Sequence, residues 1–511
     1  MNLGELIQGL GVRCVRGEAS GVRICDVTED SRTAVPGSLF VARRGLREDG
    51  RRFVREALEC GAVAILTDDE GIELPGRAAV PVVVADELAV ACARLAERFY
   101  GNPSEHLRIV AVTGTNGKTT VAHLTHQLLN HAGVRCGLIG TVDIDDGREV
   151  APAAMTTPPA IELSRTLATM VENGVRACAM EASSHALDQG RTAGITVDVG
   201  VFTNLTGDHL DYHKTMDAYA RAKRRLFESL PADGVSVINA DDAASESMGG
   251  VNPVRCSMGA GADWRAEVVS STLDGLGLRV TGAAYAVEGR TRLLGAHNAM
   301  NALEALASAD AVLAKEGWSV GARRDALGAG LSTLSAPRGR LEPVDHDPRG
   351  PRVLVDFAHT DDALRHALMS ARELVPGGGR LWVVFGCGGL KDTSKRPRMG
   401  AVAAALADEV VVTSDNPRTE PPAAIVREIL AGMDAGARGR AHVHVDRERA
   451  IGAAIAAAGE HDLIVLAGKG HEREQELPSP DGGIIRREFD DAKVARGALR
   501  EARLRRRAAS A

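Results

Sequence analysis

The residues best equipped for chemistry sit where an apolar run, Ile109-Val110-Ala111-Val112, meets Thr113-Gly114-Thr115-Asn116-Gly117-Lys118-Thr119-Thr120. This order reads as a buried strand, a glycine turn carrying one lysine, and the first turn of a helix. Gly114 and Gly117 let the backbone N–H groups of the loop curl around phosphate oxygens, and a helix starting at Lys118 adds the favourable end of its dipole. Lys118 supplies a point charge, and the hydroxyl of Thr119, followed by Thr120, suits Mg2+. The stretch is therefore read as a nucleoside-triphosphate site. A plain glycine turn with a solvated lysine accounts less well for the strand and helix on either side. The general phosphate-loop pattern has four residues between its glycines, whereas here only Thr115 and Asn116 intervene, a shortened form that points to one branch of these proteins.

Two more apolar runs end in polar clusters. Ala177–Met180 leads into Glu181-Ala182-Ser183-Ser184-His185, and the run 197–203 leads into Asn204-Leu205-Thr206-Gly207-Asp208-His209. Ligands of an open parallel sheet gather beyond the carboxyl ends of its strands, so Glu181 and His209 are expected near the phosphates. A carboxylate such as Glu181 suits a hard divalent cation. His209 and His213 are four apart, a spacing that could hold zinc on a helix, but no third ligand of the HExxH kind accompanies them. From the residues alone, His209 reads as a structural histidine and Lys223 as a solvated helix lysine.

The elements that must position these groups fall into three parts. At 511 residues the chain exceeds one ordinary core, and roughly 150 residues per domain suggests three. An apolar fraction of 44%, a charged fraction of 25% and a net charge of -7 describe a soluble globular protein with no strong attraction to nucleic acid. The basic run from Arg496 to Arg507 reads as a helical tail with solvated arginines. The eight cysteines form no CxxC pair and read as small core residues in a reducing compartment. The residues Met1 to Gly17 lack a basic region followed by an apolar run, and no apolar stretch approaches 18 residues, so a cytoplasmic protein with no membrane insertion is expected.

Residues 1–104 alternate short strands and helices and close at the turn-rich Tyr100-Gly101-Asn102-Pro103-Ser104. Within them Asp30-Ser31-Arg32 offers a carboxylate, a hydroxyl and a guanidinium, equally suited to an anionic, sugar-like ligand or to a capping turn. Residues 105–335 open with the phosphate loop, after which Val121, Leu124 and Leu128 recur at helical spacing and Gly133 stops the helix. The third part, 336–511, holds four strand-to-loop units: Val353–Val355 into Asp356, Leu381–Phe385 into Gly386-Cys387-Gly388-Gly389, Val410–Thr413 into Ser414-Asp415-Asn416-Pro417-Arg418, and Leu463–Leu466 into Ala467-Gly468-Lys469-Gly470-His471-Glu472. The fold class expected is α/β: a smaller N-terminal α/β domain, a central phosphate-loop domain with a doubly wound sheet, and a C-terminal Rossmann-like domain. Gly386 to Gly389 matches a dinucleotide fingerprint only weakly, because Asp408 and Glu409 open the next strand instead of ending it.

With these clusters in order, the chain resembles the Mur ligases, ATP-dependent amide ligases that build the peptide stem of the bacterial cell wall. The match covers nearly the whole chain: TGTNGKTT at 113–120, EASSH at 181–185, TNLTGDHLDYH at 203–213, AK at 222–223, HNAMN at 297–301, GRLE at 339–342, DFAHT at 356–360, FGCGG at 385–389, KRP at 395–397 and GKGHE at 468–472. DSR at 30–32 and PGSLFVA at 36–42 further resemble the branch that adds the third residue of the stem.

That resemblance implies ATP and two Mg2+ ions, with Gly114 to Thr120 on the phosphates, Lys118 and Thr119 holding ATP and the first ion, and Glu181 ligating metal. It implies that His209 and a carbamate formed on Lys223 (N6-carboxylysine) hold the second ion, against the blander readings above. Asn298, Asn301, Arg340 and Asp356 resemble the positions that meet adenine and ribose. Ser31, Thr156, Thr157, Ser183, Gln189 and Arg191 resemble those that bind UDP-N-acetylmuramoyl-L-alanyl-D-glutamate. Asp415-Asn416-Pro417-Arg418 matches the version that adds meso-diaminopimelate, with Asn416 and Arg418 offering donors to a carboxylate that lysine lacks. Gly468 and Glu472 resemble contacts to the far end of that substrate. Two departures stand out: Lys391 replaces the usual arginine, giving a point charge in place of a bidentate fork, and Gly45-Leu46-Arg47 lacks a histidine found near uracil in some relatives.

The reaction implied is phosphorylation of the D-glutamyl carboxylate by ATP, then attack of the diaminopimelate amine on the acyl phosphate, in a single-chain enzyme. No general base is evident; His359 is a candidate, although a core histidine bonded to backbone is the simpler reading. The alternatives are the same reaction with L-lysine or another diamino acid, a sibling such as folylpolyglutamate synthetase, or a nucleotide-switched binding module without turnover.

Overall fold

The computed structural model describes residues 1–45, 48–75, 80–344, 349–390 and 392–510. They form two compact units, Met1–Arg265 with Val280–Val287 and Asn301–Gly330, and Ala266–Arg279 with Glu288–Met300 and Leu331–Ala511.

The first unit carries two sheets. One runs in the order Val12–Arg16, Val82–Ala85, Ala64–Thr67, Ser38–Ala42, Asp26–Thr28, and every pairing but that of Val12–Arg16 is parallel. Strands buried on both faces read as continuous apolar runs, which is what Ser38–Ala42 and Ala64–Thr67 are. The other sheet places Pro253–Ser257, Val235–Asn239, Val199–Phe202, Arg108–Thr113, Ala177–Glu181 and Cys136–Ile139 side by side and parallel. Two short antiparallel strands, Asp143–Asp145 and Val150–Pro152, extend its edge. Register decides the function of this sheet. Glu181 pairs with Val112 and Phe202 with Thr113, so the loops after three neighbouring strands start level with one another.

The turn at Tyr100–Ser104 is bonded into this unit. Asn102 takes φ 53°, and the carboxylate of Glu97, 4% exposed, accepts from the Ser104 N–H at 2.7 Å and the Ser164 hydroxyl at 2.9 Å. Burial raises the pKa of Glu97 above the usual carboxyl range. Ile161, from the helix Ala160–Glu172, joins the same core as Leu88, Leu95 and Leu39.

In the second unit, Glu342–Pro343, Arg352–Asp356, Leu463–Ala467, Leu381–Phe385, Glu409–Val412 and His442–Val443 form one sheet in that order, parallel except for its first strand. Helices cover both faces over separate apolar clusters, one around Leu364, Leu368 and Met399 and one around Ile451, Ile455 and Phe489. The four expected strand-to-loop units are all present. Asp408 opens the strand Glu409–Val412 and accepts from Arg372 and from the Leu381 N–H, a structural role. The hairpin Glu474–Pro478 with Ile484–Glu488 follows the last of the four loops. Arg496 to Arg507 lie in the helix Asp491–Ser510.

One expectation is corrected here. Cys92, Cys136, Cys178, Cys256 and Cys387 are buried, but Cys14, Cys25 and Cys60 are exposed. Cys14 lies on the outermost strand, Val12–Arg16, where one side has no neighbouring strand to cover it.

Candidate active site

The strand Arg108–Thr113 ends in Gly114, at φ 151°, and the helix Lys118–His131 starts directly after Gly117, at φ 87°. A Cβ on Gly114 would lie 1.8 Å from the Thr203 hydroxyl, and one on Gly117 would lie 2.6 Å from Asn301 Oδ1, so both positions require glycine for space as well as for backbone angle. The Lys118 ammonium donates to the carbonyls of Gly114 at 2.9 Å and Thr115 at 2.8 Å.

The loop after Val199–Phe202 clasps the phosphate loop. Asn204 Oδ1 accepts from the Asn116 N–H at 2.9 Å, Asn204 Nδ2 donates to the Asn116 carbonyl at 3.1 Å, and the Asn204 carbonyl accepts from the Thr115 N–H at 2.8 Å. The Thr206 N–H donates to the Thr115 hydroxyl at 2.9 Å, and the Thr203 hydroxyl donates to the Asn116 carbonyl at 2.5 Å. Nothing in the loop pattern itself announces Thr203 and Asn204 as its clasp; the signal is their place in TNLTGDH at a level strand end.

Glu181 is 1% exposed, and its two oxygens accept from the Thr119 hydroxyl at 3.0 Å, the Thr141 hydroxyl at 3.1 Å and the Thr141 N–H at 2.6 Å. No lysine, arginine or histidine among the described residues pairs with it. A buried carboxylate facing the loop hydroxyl, with no cation of its own, fits a hard metal ion whose other ligands come from phosphate and water.

Lys223, on the helix Met216–Glu228, is 1% exposed, so the reading as a solvated lysine is wrong. Its ammonium donates to the Gly114 carbonyl at 2.6 Å and lies 4.2 Å from the centre of the Tyr219 ring. Burial, reinforced by the charge of Lys118, holds its pKa well below the ordinary lysine value. His209 takes φ 55° with its ring 4.8 Å from that of His185. Desolvation lowers its pKa; the charge of Asp208 opposes the shift, and those of Lys118 and Lys223 add to it. His213, 7% exposed, contacts the Ser184 hydroxyl at 3.0 Å, a structural position.

Beside Glu181 a polar network gathers five of the expected substrate residues. The Thr156 and Thr141 hydroxyls are 3.1 Å apart, Thr157 donates to the Glu181 carbonyl at 2.8 Å and accepts from the Ser183 N–H at 3.1 Å, and Arg191 donates to the Thr157 carbonyl at 2.9 Å and to Gln189 Oε1 at 2.7 Å. Ser31 instead donates to Glu56 Oε2 at 2.7 Å. Arg43, which the sequence reading passed over, is paired with Glu29 at 2.7 Å, and its charge helps burial to lower the Arg191 pKa. Two guanidiniums within each other's field suit a diphosphate.

In the second unit Asp356 ends its strand with both carboxylate oxygens accepting N–H groups, from Ala358 and Leu341, each at 2.8 Å. Burial raises its pKa, while Arg340 opposes the shift. The Arg340 guanidinium stacks 5.1 Å from the Phe357 ring, and Asn298 Nδ2 donates to the Leu294 carbonyl at 2.7 Å. His359 is exposed with Nδ1 3.1 Å from the Phe357 carbonyl, so it is bonded to backbone but is no core residue.

The loop Ser414–Arg418 meets the loop Gly468–Glu472. Asn416 Nδ2 donates to Glu472 Oε2 at 2.7 Å, and a Cβ on Gly468 would lie 2.6 Å from Asp415 Oδ2. Arg418, at φ 56°, donates to the Gly389 carbonyl at 2.7 Å and pairs with Glu476 at 2.9 Å. A left-handed arginine held by two other segments is local strain of about 1–3 kcal/mol, the kind stored at binding sites. Arg396, 0% exposed, anchors the neighbouring turn through Gly388 and Glu420. Lys391 lies outside the described residues, as do Leu46 and Arg47.

Models of three Mur ligase regions match the chain: the family's catalytic domain at residues 23–100, the middle domain at 112–309, and the glutamate ligase domain at 339–470. The UDP-N-acetylmuramoyl-L-alanyl-D-glutamate--2,6-diaminopimelate ligase of Chlorobaculum tepidum is 42% identical over 491 residues, covering 93% of this chain and 94% of the relative. The protein of the same name from Chromobacterium violaceum is 41% identical over 488 residues, covering 94% and 95%. The chain belongs to the Mur ligase family.

Solved structures of other proteins agree with the fold. That of a UDP-N-acetylmuramoyl-L-alanyl-D-glutamate--2,6-diaminopimelate ligase shares 32% identity with a TM-score of 0.68, covering 98% of this chain and 99% of its own. A folylpolyglutamate synthase of Mycobacterium tuberculosis, at 21% identity and a TM-score of 0.59, shares the fold over 75% of this chain. This Mur ligase thus has the three-domain α/β architecture expected from its sequence.

Proposed function

We propose that this Mur ligase joins meso-2,6-diaminopimelate to the D-glutamyl carboxylate of UDP-N-acetylmuramoyl-L-alanyl-D-glutamate, driven by ATP. The observation that carries the reading is the end-to-end match, at 42% and 41% identity, to relatives named for this reaction. The geometry supports each half of it.

A carboxylate is a poor electrophile, so the reaction needs activation. The D-glutamyl carboxylate oxygen attacks the γ-phosphorus of ATP, the bond to ADP breaks, and an acyl phosphate forms. The diaminopimelate amine then attacks the acyl carbon, loses its proton and expels inorganic phosphate, leaving the amide. Both steps gather negative charge on phosphoryl oxygens, and catalysis is mainly positioning and electrostatic stabilisation. The N–H groups of the loop from Gly114 to Thr120 and the Lys118 ammonium would hold the triphosphate. Thr119, Glu181 and His209 offer donors for two Mg2+ ions, with Lys223 contributing as a carbamate. Bound metal would supply charge neutralisation at the phosphates. The buried Lys223 amine fits carbamylation, because a lowered pKa favours the neutral amine that adds to CO2.

Asn301 beside Gly117 and Arg340 with Asp356 would meet the nucleoside. Ser31, Arg43, Thr156, Thr157, Ser183, Gln189 and Arg191 would hold the UDP substrate, with Arg43 and Arg191 on its diphosphate. Asp415, Asn416, Arg418, Gly468 and Glu472 would hold the acceptor, whose far carboxylate and ammonium need both donors and an acceptor. We place the domain boundaries at 104/105 and 335/336 and the enzyme in the cytoplasm as a monomer; no helix among the described residues is long and apolar enough to cross a membrane.

The test is an acceptor panel with UDP-N-acetylmuramoyl-L-alanyl-D-glutamate and ATP, read by product mass. Diaminopimelate is expected to give the adduct with release of ADP and phosphate. Equal efficiency with L-lysine would overturn the acceptor assignment, and ADP release dependent on a folate in place of the UDP substrate would overturn the reaction.

A further inference from the structure

Lys469 lies between two glycines in the loop after the strand Leu463–Ala467 and is 0% exposed. Its neighbours make that burial possible: Gly468 has φ 108° and Gly470 φ 54°, and a Cβ on Gly470 would meet Phe357 at 2.6 Å. An isolated ammonium is costly to bury, and this one is fully bonded. It donates to Asn416 Oδ1 at 3.0 Å, Glu472 Oε2 at 3.0 Å and the Glu474 carbonyl at 2.7 Å. A lysine has three donors, so Lys469 has none left for a ligand.

Its effect is on the groups it touches. Asn416 Oδ1 also accepts the Glu476 N–H at 3.1 Å, so two donors converge on that oxygen and the carboxamide has a single sense. Turning it over would set the amide N–H groups against an ammonium and a backbone N–H. Asn416 Nδ2 therefore faces Glu472 Oε2 at 2.7 Å with one hydrogen to spare. The same Glu472 oxygen takes Lys469 and Asn416, which leaves Oε1 as the acceptor of that carboxylate on a side chain 34% exposed. Gln475 Nε2, bonded to the Ser414 hydroxyl at 3.1 Å and the Asp415 carbonyl at 2.7 Å, keeps the segment carrying Glu474 against the Asp415 loop.

We propose that Lys469 is a positioning residue for the acceptor amino acid: it fixes which way Asn416 and Glu472 face, so that the site offers an amide N–H to a carboxylate and a carboxylate oxygen to an ammonium. This rests on the acceptor-site reading given above. Without the ammonium, Asn416 is free to turn its oxygen outward and Glu472 loses one of the two bonds that aim it, which weakens recognition of an amino-acid end without touching the phosphates.

The test is steady-state kinetics of wild type, Lys469→Met and Lys469→Gln, with meso-diaminopimelate and with L-lysine, alongside circular dichroism. In Lys469→Met the KM for diaminopimelate rises at least about tenfold and its preference over lysine narrows, while the KM values for ATP and the UDP substrate stay within about twofold. Lys469→Gln, which keeps two N–H donors but no charge on a shorter stem, falls between. A wild type that joins no diaminopimelate overturns the acceptor reading and this proposal together. A wild type that joins it, beside variants whose acceptor KM is unchanged or whose three KM values rise alike, overturns the proposal alone. Failure of both variants to fold makes Lys469 a core residue only and overturns it too.

Discussion

The Lys223 ammonium donates to the Gly114 carbonyl at 2.6 Å, so the loop built to curl around phosphate is braced by a lysine from a helix 109 residues further along the chain. Lys118 donates to the same carbonyl at 2.9 Å. Two amines thus converge on one oxygen, and the more deeply buried of them has its pKa depressed by burial and by the charge of the other.

Lys223→Ala is expected to lower phosphate release by at least about a hundredfold, the order found when one electrostatic stabiliser is lost. Formate or acetate in the assay should restore part of the rate by filling the place of a carbamate carboxylate. Full activity without any added acid would remove the carbamate from the mechanism.

Lys118→Ala should cut phosphate release by about 10²–10³-fold or more, with the far-ultraviolet circular dichroism of the wild type. Retained turnover would mean that the loop at 113–120 does not hold the triphosphate.

Glu304 predicts a dependence of stability on pH. It is 0% exposed, neither carboxyl oxygen has a hydrogen-bond partner among the described residues, and burial raises its pKa well above the ordinary value. The folded state therefore keeps a proton that the unfolded chain releases above about pH 4.3, and each further pH unit below the folded pKa costs up to about 1.4 kcal/mol. Stability from this group is complete in acid and declines as pH rises. Glu304→Met should raise the Tm, and by more at pH 8 than at pH 5. An identical difference at both values would show that the group does not titrate on unfolding.

Arg447 and Asp491 form an ion pair in which both side chains are 0% exposed, with Arg447 Nε to Asp491 Oδ1 at 2.7 Å. Either Arg447→Met or Asp491→Leu should cost about 3–5 kcal/mol, because each strands a buried partner. The double variant Arg447→Met with Asp491→Leu should recover most of that loss, measured by thermal unfolding. Additive losses would argue against a direct pair.

What was legible in the sequence follows from what is local. The strand, glycines and lysine of the phosphate loop are contiguous, so their geometry is written in their spacing, and the parallel strands announce themselves as apolar runs buried on both faces. Lys223 was not legible as a buried group from its own helix, where Arg221, Arg224 and Arg225 surround it; its burial comes from the loop packed over it. Lys469 hides for the same reason, since its partner Asn416 is 53 residues away. His359 looked like a core histidine because Phe357-Ala358 precede it, but the chain turns outward there and leaves the ring at the surface. The hairpin of Trp264–Thr272 with Gly275–Thr281 carries an Asp274-Gly275 turn signal, yet the second half of its first strand, Val269 to Thr272, is exposed, and Ser270-Ser271-Thr272 breaks the apolar alternation that marks a strand.

The placement of the cysteines has a practical consequence. Cys14, Cys25 and Cys60 all belong to the first sixty residues, whereas the other five thiols are buried and burial pushes their pKa upward, to about 12 for Cys136 and Cys387. Maleimide chemistry on the folded enzyme is thereby confined to the N-terminal α/β module. A fluorophore or spin label can be installed there without mutagenesis, giving a native reporter of events at the end of the chain farthest in sequence from the acceptor loops.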